Sequence, residues 1–347
     1  MTRVAVLGAT GAVGRTMLRL LEERAFPADD VVALASQRSE GQRLPFRGGE
    51  LQVRAAAAGE WFRGVDLALV SAGAAVSREL LPPAAAAGTV CIDNSSAFRM
   101  DPDVPLVVPE INPEALRTHR GIIANGNCTA ITALMALGPL HRAFGLRALV
   151  TSGYQSASGA GMKGLRELVE QVEKLHGDEE ALAAGTDPAA LPVGEVFGRT
   201  IAYNVIPRAE RFDPDGSGYT TEELKMEAEV RKVLGIPDLV ATATAVRVPV
   251  AVGHGVSIFA TFDRPAPATQ ARAVLDDAPG VRVVDDPAND AFPTPLDAAG
   301  IDDVLVGRIR QGPDAHTVVM FACGDNLRKG AALNAVQIAE LLLAGER

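Results

Sequence analysis

Of the three cysteines in the chain, one stands where a thiol can act on a substrate. Asn125-Gly126-Asn127-Cys128-Thr129-Ala130 reads as a strand (Gly121 to Ala124), a glycine-containing turn, and an apolar helix that Cys128 opens. At a helix N-terminus the free N–H groups and the positive dipole end lower a thiol's pKa. The same donors can receive the oxygen of a tetrahedral adduct. The chemistry this predicts is nucleophilic attack on an activated carbonyl, with a thioester left behind. Cys91 and Cys323 sit in apolar strands, Thr89-Val90-Cys91-Ile92 and Met320-Phe321-Ala322-Cys323, where a buried cysteine is an inert small hydrophobe. Three dispersed cysteines make neither a disulfide framework nor a metal cluster, so no metal is expected. Packing remains the competing reading for Cys128 itself.

Thioester chemistry needs further groups. Of five histidines, His119, His141, His176 and His316 fall on helix surfaces or loops; His254 alone lies in a Gly-flanked turn between two strands. There an imidazole titrating near neutrality can face a cleft; a solvated or capping histidine is the alternative. Arg247 interrupts the apolar run Ala245-Val246-Arg247-Val248-Pro249, where an unpaired charge is costly, and its fork suits a carboxylate. Glu222 and Lys225, three apart, share a helix face. The plain reading there is an ion pair within the helix, with Glu223 an equal candidate for the surface partner. Arg99 alone reads as an ordinary cation, and Gln155 alone as loop polarity.

A second element of chemistry lies at the start of the chain. Gly8-Ala9-Thr10-Gly11-Ala12-Val13-Gly14 falls between the first strand and the first helix. Small residues let the backbone approach a pyrophosphate, and the helix N-terminus supplies donors. A merely tight turn is the alternative. The second strand ends at Ala35-Ser36, followed by Gln37-Arg38-Ser39 rather than by an acid. An Arg there accommodates a 2′-phosphate and favours NADP; Glu40 complicates this, and Arg38 can equally be a solvated loop residue.

The elements that must position these groups follow from patterning. Strands Val4 to Leu7, Val31 to Ala35, Leu67 to Val70 and Val90 to Ile92 alternate with helices Val13 to Glu23 and Ser77 to Ala87, which predicts βαβ units and a parallel sheet. After Cys128 come a helix (Ile131 to Leu140), a strand (Leu146 to Thr151), a polar helix (Leu165 to Leu182) and a loop (Gly185 to Pro192). A charged helix beyond Thr220 precedes strands Thr242 to Val250, Val256 to Phe262, Val304 to Ile309 and Thr317 to Phe321, fitting a mixed or antiparallel sheet. The last helix, Leu327 to Leu343, is expected to pack back on the first domain. The Ala57 neighbourhood is helix-friendly composition and no more.

The bulk numbers agree. With 347 residues the chain can build two cores. Its net charge of −10 argues against general nucleic-acid binding. No apolar run approaches membrane-spanning length and no secretory signal is evident, so a cytoplasmic protein without membrane partners is expected. Only 5 of its 33 basic residues are Lys, so each Lys carries more information than usual.

Taken in order, several segments closely resemble the aspartate-semialdehyde dehydrogenase family over almost the full chain. They are the Gly8–Gly14 loop, Ile92 to Arg99, Val108-Pro-Glu-Ile-Asn112, Gly126-Asn-Cys-Thr129 and Tyr154 to Gly161. Glu222-Glu-Leu-Lys225, Val246-Arg-Val-Pro249, the His254 segment and Asp325 to Ala332 complete the set. The resemblance implies an α/β fold: a Rossmann-type NADP-binding domain over 1–127, completed by the C-terminal helix 326–347, and an α+β catalytic and dimerisation domain over 128–325. It implies a homodimer that reduces L-aspartyl 4-phosphate with NADPH to L-aspartate 4-semialdehyde and phosphate, toward lysine (through diaminopimelate), threonine, methionine and isoleucine. Cys128 matches the nucleophile, Gln155 the residue positioning the acyl group, and His254 the acid/base. Arg99 and Lys225 match the phosphate cations, Arg247 the carboxylate clamp, and Glu222 the holder of the substrate ammonium or of its neighbours; Asn127 joins the substrate site. Thr10, Gly11, Ala12 and Val13 match the pyrophosphate loop, Arg38 and Ser39 the 2′-phosphate site, and Ser158, Gly159 and Asn326 the nicotinamide flank. The competing readings are N-acetyl-γ-glutamyl-phosphate reductase, malonyl-CoA reductase, and a non-catalytic nucleotide-binding paralogue.

Overall fold

The computed structural model describes residues 2–56 and 61–345; the Ala57 stretch lies outside them. The strands in chain order are β1 (Arg3–Leu7), β2 (Asp30–Ala35), β3 (Arg43–Phe46), β4 (Gly49–Gln52), β5 (Arg54–Ala55), β6 (Leu67–Val70), β7 (Val90–Asp93), β8 (Leu106–Val107) and β9 (Ile122–Asn125), then β10 (Leu146–Gln155), β11 (Val240–Arg247), β12 (His254–Phe262), β13 (Val281–Val283), β14 (Val304–Gln311) and β15 (Thr317–Gly324). The helices are α1 (Ala12–Glu23), α2 (Ala74–Ala86), α3 (Cys128–Phe144), α4 (Gly161–Leu175), α5 (Glu179–Ala184), α6 (Thr221–Leu234), α7 (Ala268–Asp276) and α8 (Leu333–Ala344).

Seven strands form one sheet in the order β5-β2-β1-β6-β7-β9-β8, and every pair in it is parallel. The buried strand sequences explain this, since a sheet covered on both faces reads as continuous apolar runs rather than as alternation. Val4, Val6, Leu67 and Leu69 face a core shared with Met17 and Leu21 of α1 and with Leu333, Val336 and Ile338 of α8. The last helix does return to the first sheet. It begins later than the pattern predicts: Arg328–Ala332 form a π-helical turn, and α8 starts only at Leu333.

The second sheet is mixed, in the order β11-β10-β12-β15-β14-β13. Leu149, Val256, Ile258 and Met320 point to α3, whose residues 129–140 are buried all round. A helix apolar on every side belongs inside a protein. On the opposite face Val150 and Phe259 remain exposed.

The sequence pattern needs three further corrections. The stretch Leu165 to Leu182 is two helices, α4 and α5, divided by a turn at Gly177. The strand after α3 runs on to Gln155, and that extension carries Gln155 to the centre of the molecule. His254 is the first residue of β12 rather than a turn residue, paired with Gly324 of β15.

Candidate active site

Cys128 begins α3, and its helix is capped by the residue before it. The Asn127 side-chain oxygen accepts from the Thr129 and Ala130 N–H groups at 2.9 and 3.1 Å. Two of the four free N–H donors are thereby used for folding. The Asn127 amide nitrogen donates to Glu222 Oε1 at 2.8 Å.

His254 Nε2 lies 3.1 Å from Cys128 Sγ. Behind it, Nδ1 receives the Ser156 backbone N–H at 3.1 Å. A backbone N–H can only donate, so this network assigns the proton of the neutral ring to Nε2, facing sulfur. Asn326 fixes the surroundings: its Oδ1 accepts from the Gly253 N–H at 2.8 Å and from the Ser156 hydroxyl at 3.2 Å. Ser158 exchanges hydrogen bonds with the same amide.

The charge state differs from what the helix position predicts. Burial pushes the Cys128 thiol up to about 11, with Glu222 adding to the rise; Arg247, Arg99 and a hydrogen bond with Thr129 oppose it. Burial, reinforced by Arg247, pushes His254 down to about 3. In the substrate-free cleft burial thus favours the uncharged form of both partners. The iodoacetamide alkylation rate of Cys128 is expected to climb about tenfold per pH unit above neutrality, still unsaturated near pH 10. A plateau reached below about pH 8 would show that the helix terminus dominates after all.

The cations converge as expected, and each is held. Arg99 donates through Nε to the Asn125 carbonyl (2.8 Å), through one terminal nitrogen to Glu229 (3.0 Å) and through the other to the Asn94 carbonyl (2.8 Å). Lys225 meets Glu210 at 2.6 and 2.5 Å, while Glu222 Oε2 is 4.0 Å away. The intrahelical pair is thus the weaker contact. Glu223 is not a surface partner: it is buried, closes the capping box with Thr220 and accepts the Ala245 N–H at 2.9 Å. Arg247 ends β11 and donates to the Ser156 carbonyl at 3.2 Å.

Gln155 is buried in the middle. Its Nε2 donates to Thr129 Oγ1 (2.7 Å) and to Glu222 Oε1 (2.8 Å). Only the nitrogen end of an amide can face a carboxylate, so Glu222 fixes the orientation. Gln155 Oε1 is left buried without a partner among the described residues. Glu222 therefore orients two amides, Asn127 and Gln155, fitting the expectation that it holds its neighbours.

Cys128, Asn127, Gln155, Glu222 and the three cations line a cleft of about 380 Å3 that also contains Gly11, Ala12, Val13, Ser158, Gly159, Asn326 and Gly330. A neighbouring hollow of about 480 Å3 runs from Thr10 and Gly11 past Ala35, Ser36 and Gln37 to Leu80. The residues present fit a dinucleotide. Helix α1 has Gly11 as its N-cap, with no side-chain cap and no acid in its first turn, so its first N–H donors are free for an anion. A Cβ on Gly14 would lie 2.2 Å from the Gly8 carbonyl oxygen, so the tight crossing of strand and helix requires glycine there. Thr10 Oγ1 and Ser39 Oγ meet at 3.4 Å. Arg38 stands exposed on the 3-10 turn beside them and lines neither hollow.

Sequence reasoning missed Ser156, Glu229, Glu210 and Gly330. Glu229 carried a signal, an acid in the Met226, Val230, Val233 stripe of α6; burial pushes its carboxyl up, against the pull of Arg99.

With this geometry in place, two family models match: "Semialdehyde dehydrogenase, NAD binding domain" over residues 3–119 and "Semialdehyde dehydrogenase, dimerisation domain" over residues 137–329. Fold and site thus define a nucleotide-dependent semialdehyde dehydrogenase. The chain belongs to the aspartate-semialdehyde dehydrogenase family. It is 47% identical to the aspartate-semialdehyde dehydrogenase of Mycolicibacterium smegmatis, with 99% of each chain covered. It is 46% identical to that of Bacillus subtilis over 98% of this chain and 96% of the other. The crystal structure of aspartate semialdehyde dehydrogenase II complexed with ASA from Vibrio cholerae matches with a TM-score of 0.91 and 42% identity, covering 99% of both chains.

Proposed function

We propose that the chain reduces L-aspartyl 4-phosphate with NADPH to L-aspartate 4-semialdehyde and phosphate through an acyl-thioester on Cys128. The observation that carries this reading is the 3.1 Å Sγ–Nε2 contact, set in a cleft that also holds the free N-terminus of α1 and three cations.

Arg247 takes the substrate's α-carboxylate, since its fork suits two oxygens. The α-ammonium finds an acceptor in Glu222, and Gln155, oriented by Glu222, positions the acyl group. Arg99 and Lys225 receive the phosphate, and Asn127 keeps Glu222 and the start of α3 in register. The Cys128 Sγ attacks the C4 carbonyl, a C–S bond forms, the C–O bond to phosphate breaks, and the thiol proton leaves with the departing phosphate. NADPH, when bound, supplies the hydride that the thioester carbon accepts. His254 Nε2 is the group nearest the sulfur, and it stabilises the thiolate as it leaves and returns. Thr10, Gly11, Ala12 and Val13 would hold the pyrophosphate, Ser39 and Arg38 the 2′-phosphate, and Ser158, Gly159 and Asn326 the nicotinamide side. Residues 1–127 with 326–347 form the nucleotide unit in this reading, and 128–325 the catalytic and dimerisation unit. Two copies pair as a homodimer in the cytoplasm. No helix among the described residues is long and apolar enough to cross a membrane.

NADPH oxidation compared across aspartyl phosphate, the acetylglutamyl analogue and malonyl-CoA tests the substrate. Preference for either of the last two would replace this reading. Arg247→Lys is expected to raise the substrate KM by about tenfold or more with the NADPH KM unchanged, because a point charge replaces a fork. Equal substrate KM values would remove Arg247 as the clamp.

A further inference from the structure

Glu210 lies at the lip of the cleft, and neither the motifs nor the mechanism above use it. It sits on a segment clipped to the end of β11: Ile206 and Arg247 exchange backbone hydrogen bonds at 2.9 and 2.8 Å, and Ala209 is buried. Glu210 itself has φ of +63°, in the left-handed region that a non-glycine residue enters at a cost and keeps only where its surroundings hold it. What this backbone delivers is a carboxylate against Lys225. Both oxygens contact Nζ, at 2.6 and 2.5 Å, and Thr221 Oγ1 donates a third hydrogen bond at 2.6 Å. Burial would push the Glu210 carboxyl up, but the Lys225 and Thr221 hydrogen bonds together hold it below the usual range.

The cleft's charges then fall into a pattern. Arg99 is paired with Glu229 and Lys225 with Glu210, whereas Arg247 donates to a carbonyl and is attracted to Glu210 only through space. The two pairs differ in what they allow. Glu229 is 1% exposed and also accepts the Asn127 N–H at 2.5 Å, so it cannot leave without disturbing the nucleophile's turn. The Glu210 side chain is 38% exposed and Lys225 25% exposed, so water can solvate Glu210 when the pair opens. An incoming phosphate carries the same kind of oxygen to the same ammonium.

We propose that Glu210 is a specificity-determining residue for phosphate: it occupies Lys225 in the empty cleft, yields it to the phosphate group, and reclaims it as inorganic phosphate departs. The proposal rests on the assignment of Lys225 to phosphate made above. Its consequence is that phosphate binds less tightly than a free Lys225 would hold it, which favours product release.

The test is phosphate-dependent oxidation of aspartate semialdehyde with NADP+, read as the KM for inorganic phosphate, in Glu210→Gln and Lys225→Met. Gln keeps the shape and an acceptor oxygen for Thr221 while removing the charge. Glu210→Gln is expected to lower the phosphate KM about three- to tenfold, the scale of one partly exposed charge-assisted contact. Inhibition of the forward reaction by phosphate should strengthen in parallel, and the NADP+ KM should not move. Lys225→Met is expected to raise the phosphate KM. A raised phosphate KM in Glu210→Gln would mean that Glu210 only props Lys225 in place, and would overturn the proposal. So would an unchanged value alongside a raised KM in Lys225→Met, with the Lys225 assignment intact. An unchanged phosphate KM in Lys225→Met would instead sink that assignment, and this proposal with it.

Discussion

Replacing Cys128 with serine is expected to lower kcat by roughly four orders of magnitude or more while leaving NADPH affinity unchanged. The loss is large because nothing in the site rescues a hydroxyl. His254 carries its ring proton on the nitrogen facing the nucleophile, since Ser156 N–H occupies the other. In that tautomer it takes no proton from the nucleophile, and a hydroxyl surrenders its own proton far less readily than a thiol does. Cofactor affinity is spared because Cys128 opens α3, whereas the free N–H donors for a pyrophosphate belong to α1. NADPH binding by fluorescence titration and turnover on the same preparation check both halves. Retention of more than a few per cent of activity would remove Cys128 as the nucleophile.

The second large effect is expected from a residue that carries no functional group. Gly330 sits in the π-helical turn that precedes α8, and a Cβ there would lie 2.8 Å from Cys128 Cβ and 3.2 Å from its Cα. Contacts this short cannot be absorbed by a flexible side-chain end, because the atoms in the way are the nucleophile's own root. The turn cannot easily retreat either. Lys329 beside it is fully buried and donates to Glu110 at 2.5 Å, Gln337 at 2.7 Å and Asn334 at 2.9 Å, while Arg328 is tied to Glu23 and Asp302. Cys128 must therefore move relative to His254 and the cations. Gly330→Ala is expected to reduce kcat about 100-fold, the scale associated with misplacing a reacting group by about 1 Å. The thermal midpoint should change far less than in a variant of Lys329, whose removal leaves the largely buried Glu110 carboxylate without its cation. A kcat near that of the unaltered protein would show that Cys128 does not depend on this turn.

What could be read from the sequence was local. The strand, glycine turn and helix around Gly8–Gly14 and around Cys128 are set by residues within a dozen positions, and the structure keeps both. The cluster of Arg99, Asn127, Gln155, Glu222, Lys225, Arg247 and His254 was reached through resemblance; the fold brings the first six to one cleft and sets His254, fully buried, behind Cys128. Protonation was not legible. Position at a helix terminus argues for a low thiol pKa, whereas burial beside Glu222 pushes the Cys128 thiol up, and burial is a property of the whole packed molecule. Counter-ions were hidden for a similar reason. Glu229 reaches Arg99 across 130 residues and Glu110 reaches Lys329 across 219, separations over which no spacing rule operates. Glu210 depends on a left-handed backbone that no residue pattern announces.

Mass spectrometry of the acyl-enzyme gives the most direct test of the central claim. The protein is mixed with aspartyl phosphate in the absence of NADPH, quenched in acid and digested. An aspartyl thioester is predicted on the peptide containing Cys128, labile to hydroxylamine and lost when NADPH is added before the quench. An unmodified Cys128 peptide under conditions where the protein turns substrate over, or the adduct on any other residue, would contradict the account.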